Sequence, residues 1–330
     1  MADTLPRIVI LATGGTIAGA ADPRSLSGYN AGEVSAESLI ASVPGIGALA
    51  RLSAEQVASI GSQDMDDAVW FGLARRIDLL ARSPEVDGIV VTHGTDTLEE
   101  TALFLDLVVG TDKPVVLVGA MRPSTAISAD GPLNIHEAVQ VAASPKARGR
   151  GVLVVLNDTI HGARDVTKTS TTSVQTFQSP NCGPVGLVNP NMVAFHAPPA
   201  ARTIYPLPAL PPLPPVDIVL AHAGMGARQV HDAVAAGVKG IVLAGVGDGN
   251  AAKPAVDALA AAAARGIVVV RSSRVGSGPV MRNIEIDDDT PGFVAAGSYN
   301  PAKARVLLQV LLANGIDAPA EVQAAFVPAP

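Results

Sequence analysis

The sequence predicts an α/β protein of two domains. A larger N-terminal domain has a mostly parallel sheet flanked by helices, and a smaller C-terminal domain is also parallel α/β. Three observations carry this. Short β-branched runs recur along the chain, each stops at a glycine-rich or polar turn followed by a helical pattern, and a single proline-dense stretch breaks the rhythm.

The runs in chain order are RIVILAT, GIVVTHG, KPVVLVGAM and GVLVVLND, then VDIVLAHAG, GIVLAGVG and GIVVVRSS. They are continuous rather than alternating, which is how strands covered on both faces of a parallel sheet read. Helical patterns fill the intervals at 97–109, 134–143, 227–236 and 254–265. The exception is APPAARTIYPLPALPPLPPV, with eight prolines between Pro198 and Pro215. Such a segment can enter neither a central strand nor a helix interior, so it reads as a stiff, extended linker. The expected domains are 1–196 and 216–330, with the linker at 197–215.

Composition narrows the function. Of 330 residues, 48% are hydrophobic and 16% charged, which describes a folded chain with a sizeable core. A net charge of -7 without a Lys/Arg cluster argues against nucleic acid. One cysteine, Cys182, allows no intramolecular disulfide and no cysteine metal site. The six histidines form no pair spaced for zinc, and no apolar run reaches the roughly 18 residues of a membrane span. The start, MADTLPRIVI, lacks the basic n-region of a signal peptide, so a cytoplasmic protein is expected.

The first strand ends in ILATGGTIAG. A glycine-rich turn after a strand suggests a phosphate site, but Gly14, Gly15 and Gly19 do not have the G-x-G-x-x-G spacing, and no lysine follows Gly19 as a P-loop requires. What remains is Thr16, placed by two glycines at the carboxyl edge of a strand, where open α/β sheets bind ligands. A threonine that merely caps a helix is the competing reading. The same choice arises in GIVVTHGTDTLEETA. Thr97 and Glu100 have capping-box spacing and Asp96 suits a helix N-terminus, yet Thr95 beside Asp96 also suits attack on a carbonyl next to a bound ammonium. His93 reads as a structural residue at the strand end.

TGGTIAG and HGTDT together resemble the two signatures of the bacterial-type L-asparaginase family, closest to its type II branch. GSQDM, VLVGAMRP, SADGPLN, DVTKT, GVGDGN, RSSRV and NPAKARVLL follow in the family's order, so the resemblance spans the chain. It implies roles by position. Thr16 matches the family's nucleophile, and Tyr29 in SGYNAG matches the tyrosine of a mobile lid. Ser62 and Gln63 match the pair that holds the substrate's α-carboxylate and α-amine. Thr95 and Asp96 match the second catalytic threonine and the aspartate that takes the α-ammonium, and Lys168 matches the lysine bonded to that threonine. Asn250 and Glu285 match residues that come from a neighbouring subunit.

The chemistry is coherent without the family. Side-chain amide hydrolysis needs a nucleophile, a route for its proton and a stabilised oxyanion. Lys168 as a neutral base would have to fall from about 10.4 toward 7 or 8, at a cost of roughly 4 kcal/mol. Burial favours that fall and an adjacent Asp96 opposes it, so Lys168 is also read as orienting Thr95 together with Asp96. The loop 18–32, rich in Gly, Ala, Ser and Asp and without hydrophobic period, has the composition of a lid.

The sequence departs from the family pattern in three places. The single cysteine cannot form the disulfide of many exported members, Asp248 stands where asparagine is frequent, and AHAGMG (221–226) is unusual after its strand. The resulting expectation is a homotetramer, built as a dimer of dimers with sites shared between subunits. It would hydrolyse L-asparagine, and weakly L-glutamine, to the acid and ammonia, without metal or cofactor. The alternatives are a dual glutaminase-asparaginase and an amino-acid-binding protein that has lost catalysis. A transamidation subunit acting on charged transfer RNA would need an RNA-binding module and a basic surface, and neither is visible.

Overall fold

The apolar runs become the central strands of two sheets. The computed structural model describes residues 5–15, 17, 20–21, 29–30, 36–207 and 212–327. The chain forms two units, Met1–Leu207 and Pro208–Pro330, divided inside the proline-rich stretch.

The first unit contains strands β1 (Arg7–Gly14), β2 (Ala20–Ala21), β3 (Tyr29–Asn30), β4 (Arg51–Ile60), β5 (Gly88–Thr92), β6 (Val115–Val118), β7 (Val152–Leu156), β8 (Thr159–Gly162), β9 (Thr167–Lys168), β10 (Phe177–Gln178), β11 (Gly186–Asn189) and β12 (Met192–Phe195). Its helices are α1 (Ala36–Ala41), α2 (Asp67–Arg82), α3 (Leu98–Val108) and α4 (Gly131–Ala143). Eight strands make one sheet in the order β12-β11-β8-β7-β6-β5-β1-β4. The pairs from β4 to β7 are parallel, and β7 to β12 is an antiparallel extension.

Alternate residues explain the layering. Ile8, Ile10, Val90, Val116, Val118, Leu153 and Val155 pack with Ile135, Ala138 and Val139 of α4. Residues of the opposite parity, such as Leu11, Ile89, Val91 and Leu117, are equally buried on the face that α2 and α3 cover. Both faces are dry, so the runs have no polar alternation. The reading of the sequence missed α2, although Asp66 caps it by accepting from the N–H of Val69 at 2.9 Å and Trp70, Leu73, Ala74 and Ile77 have helical spacing.

The second unit has β13 (Val216–Leu220), β14 (Gly240–Gly245), β15 (Val268–Ser273) and β16 (Val294–Ala295), all parallel and in that order. Its helices are α5 (Arg228–Ala235), α6 (Lys253–Ala263), α7 (Pro301–Ala313) and α8 (Pro319–Phe326). Val230, Ala255, Leu259 and Ala262 of α5 and α6 pack on Val219, Ile241, Leu243 and Val269. One expectation is corrected. VDIVLAHAG, read as buried on both faces, is an edge strand whose Ile218 and Leu220 are 41% and 50% exposed. An apolar run cannot report whether a neighbour covers it.

Candidate active site

The carboxyl ends of β1, β4 and β5 meet backbone to backbone. Gly14 has φ 102° and Gly15 φ 81°, both in the left-handed region. A Cβ on Gly14 would lie 2.5 Å from the carbonyl oxygen of Ile60, and one on Gly15 would collide with the backbone of Gly94. The N–H of Gly15 donates to Ile60 O at 3.0 Å. On the other side, a Cβ on Gly94 would stand 2.6 Å from Ser62 Oγ. The glycines of TGGT and HGT are therefore required for the close approach of these strand ends.

That approach brings Ser62 onto the turn that holds Asp96. Ser62 is 4% exposed and its Oγ accepts the backbone N–H of Asp96 at 3.1 Å, which leaves its own O–H to donate elsewhere. Thr97 occupies the N-cap of α3 but makes no side-chain cap; its Oγ1 donates instead to the Ser62 carbonyl at 2.7 Å. The capping-box reading of Thr97 and Glu100 is thus replaced by a tie between the two motifs. Gln63 lies one residue beyond, and its Nε2 donates to Asp64 Oδ2 at 3.1 Å.

Lys168 reaches the same turn from β9. Its Nζ donates to Thr95 Oγ1 at 2.9 Å and to Asp96 Oδ1 at 2.6 Å. The lysine side chain is 18% exposed and that of Asp96 is 61% exposed, so the lysine is sheltered while the carboxylate is reachable from solvent. The lysine backbone is held by a residue that sequence reasoning missed: Glu99 Oε2, in the first turn of α3, accepts the N–H of Lys168 at 2.6 Å.

His93 is structural, as expected. Its Nδ1 faces the carbonyl of Gly94 at 2.6 Å and must carry the proton, because a carbonyl only accepts. Its Nε2 then accepts from Thr101 Oγ1 at 2.9 Å, and Thr101 Oγ1 accepts from Trp70 Nε1 at 2.8 Å. Complete burial pushes His93 down to about 4, so its ring is neutral near pH 7.

Thr16 lies outside the described residues, as does most of the lid segment. Of Tyr29 only the backbone is described, paired antiparallel with Ala21 in the two-residue ladder of β2 and β3. In the second unit Asn250 and Glu285 are brought together, with Asn250 Nδ2 donating to Glu285 Oε2 at 2.8 Å. Asp248 Oδ1 accepts the N–H of Met281 at 2.8 Å, which ties its loop to the segment before Glu285. In the AHAGMG stretch, Met225 enters the core of the second unit. Among the described residues, no group of three or more His, Cys, Asp or Glu is placed to hold a metal ion, and no helix is long and apolar enough to cross a membrane.

Comparison with known proteins gives a consistent answer. Residues 7–201 match the family model described as "Asparaginase, N-terminal", and residues 215–326 match "Glutaminase/Asparaginase C-terminal domain". The chain is 51% identical over 317 residues to "Probable L-asparaginase periplasmic" of Haemophilus influenzae, covering 95% of this chain and 90% of that protein. It is 50% identical over 326 residues to "L-asparaginase 2" of Escherichia coli, covering 98% and 93%. It is 44% identical over 319 residues to "Glutaminase-asparaginase" of Pseudomonas fluorescens biotype A, covering 95% and 88%. Matched in both halves, and half identical to two relatives along nearly its whole length, the chain belongs to the asparaginase family.

Proposed function

We infer that this protein hydrolyses L-asparagine to L-aspartate and ammonia. The observation that carries the reading is Lys168 Nζ held against both Thr95 Oγ1 and Asp96 Oδ1 at the carboxyl edge of the parallel sheet. A binding protein needs a carboxylate for the substrate's ammonium, but it has no use for a lysine bonded to a threonine hydroxyl beside it.

In this reading Thr16 attacks the side-chain carbonyl carbon. The Thr16 hydroxyl proton passes to the leaving nitrogen, the C–N bond breaks and ammonia departs, and water then hydrolyses the resulting ester to free aspartate and restores the Thr16 hydroxyl. Thr95, oriented by Lys168, serves as the second catalytic threonine. The exposed Asp96 carboxylate takes the α-ammonium, while Ser62, through its remaining O–H, and Gln63 take the α-groups. Tyr29 belongs to the lid. Asn250 and Glu285 complete the pocket of a neighbouring subunit in a homotetramer built as a dimer of dimers. The exposed apolar edge at Ile218 and Leu220 supports association of some kind. The domains 1–196 and 216–330, with 197–215 as linker, belong to the same reading.

A second substrate is favoured by the name of the Pseudomonas relative, so L-glutamine is assigned as a weak one. A cytoplasmic placement is supported by the free thiol of Cys182, against the word periplasmic in the name of the Haemophilus relative; cell fractionation decides between them. Ammonia release from asparagine and glutamine, measured side by side, tests the function, and no release from either amide overturns it. Full activity of a monomer at nanomolar concentration would overturn the shared site.

A further inference from the structure

We propose that Arg271 is a positioning residue that holds Asn250 and Glu285 in the arrangement that meets substrate. This rests on the assignment of those two residues as substrate contacts, and it adds the device that sets their spacing.

Arg271 is completely buried within β15, and each of its five N–H donors has an acceptor. Nε and Nη2 form a fork on Asp288, at 2.5 and 2.7 Å, and Asp288 is equally buried. Nη1 donates to the carbonyls of Asp248 and Gly249 at 3.0 and 3.1 Å, the two residues before Asn250. The remaining Nη2 hydrogen goes to the Met281 carbonyl at 3.1 Å. One guanidinium therefore grips the backbone leading into Asn250 and both ends of the segment that carries Glu285.

The surroundings close this arrangement. Val246 and Asn250 exchange backbone hydrogen bonds, each at 2.8 Å, so the loop folds back on itself and Gly249 lies under the guanidinium. Asn283 Oδ1 accepts the N–H of Asp288 at 2.8 Å, and Asp288 Oδ2 accepts the N–H of Asn283 at 2.8 Å. Ser273 Oγ, two residues after Arg271, donates to the Gly247 carbonyl at 2.7 Å. The hydrogen bond between Asn250 and Glu285 stands on this frame, and neither of those side chains touches Arg271 through any bond described. A lysine would keep the charge but lose the planar fork and the simultaneous grip on three carbonyls.

The test uses the full-length enzyme. Arg271→Lys and Asn283→Gly are compared with Glu285→Gln for Tm, kcat and KM toward L-asparagine. Asn283 is exposed and has φ 56°, so glycine keeps the backbone and its N–H bond to Asp288 Oδ2 while removing the side-chain bonds to the Asp288 N–H and to Asp289. The expected result is a KM raised about tenfold by Arg271→Lys, as for loss of one charge-assisted hydrogen bond, and about threefold by Asn283→Gly, with kcat changed less than threefold. A lower Tm with KM within twofold of the parent, while Glu285→Gln raises KM, overturns the positioning role alone. Unchanged KM in Glu285→Gln overturns the substrate contact and this inference with it. If Arg271→Lys does not fold, Asn283→Gly decides, and an unchanged KM in that variant overturns the proposal.

Discussion

Lys168 and Thr95, 73 positions apart in sequence, are joined by a hydrogen bond of 2.9 Å from Nζ to Oγ1, and the same ammonium forms an ion pair with Asp96. The contact has a structural cause. Glu99 and the Thr95 turn belong to the same helix start, and Glu99 fixes the backbone of Lys168, so the lysine is delivered to the turn by the helix that the turn begins. Held between Asp96 Oδ1 and Thr95 Oγ1, the Lys168 Nζ is placed to orient the threonine hydroxyl.

Loss of any of three side chains should stop chemistry while the fold survives. Thr16→Ala, Thr95→Ala and Lys168→Met are each expected to lower kcat by about 10²–10⁴, the range for a positioned proton-transfer or nucleophilic group. Single-turnover rates with circular dichroism as the folding control check this. Near-parental turnover in any one removes that residue from the mechanism.

Asp96→Ala should act on binding. The carboxylate is exposed enough to meet an ammonium, and a charge-assisted hydrogen bond contributes about 1.5–3 kcal/mol, so KM for L-asparagine should rise about 10- to 150-fold. Because Asp96 also holds Lys168, a smaller fall in kcat accompanies it. An unchanged KM would show that the α-ammonium is held elsewhere.

Selectivity should favour asparagine. An extra methylene alone is worth about 1–3 kcal/mol in a pocket, but with the α-groups clamped the added length displaces the reacting carbon, and about 1 Å of misplacement costs roughly 100-fold in rate. On the proposed assignment Asn250, bonded to Glu285, is the side chain that limits the room for that displacement. Asn250→Ser is expected to move the ratio of kcat/KM values toward glutamine, and a parent with equal values for the two amides would contradict the packing argument.

Stability should carry the signature of Glu137. This α4 residue is completely buried, and burial, then the neighbouring Asp158, push its carboxyl up to about 8 from an ordinary 4.5. Between those values the folded chain keeps a proton that the unfolded chain releases, so stability falls as pH rises through that window and levels off above it. Glu137→Gln, a neutral residue of the same shape, should gain Tm over the parent as pH goes from 5 to 8. A Tm difference constant across that range would show that the carboxyl ionises normally.

Much of this was legible in one dimension. The continuous β-branched runs announced strands covered on both faces, and β5, β6, β7, β14 and β15 are buried along their whole length. The threonine motifs stood at strand ends, and strand ends line the edge where open α/β sheets work. These signals are local: a period, a glycine, a hydroxyl next to a carboxylate. What only the tertiary structure decided are relations across sheet order. They include the exposed edge of β13, the relay from Trp70 through Thr101 to His93, the anchoring of Lys168 by Glu99, and the grip of Arg271 on the backbone at 248–249 and on both ends of the 281–288 segment. RSSRV was visible as a strand end and a family motif, yet in the folded chain the five donors of its first arginine, Arg271, are all satisfied at once. A hydrogen bond between residues dozens of positions apart leaves no periodic trace in the sequence, because each partner is placed by a different strand or helix and their meeting depends on which elements become neighbours.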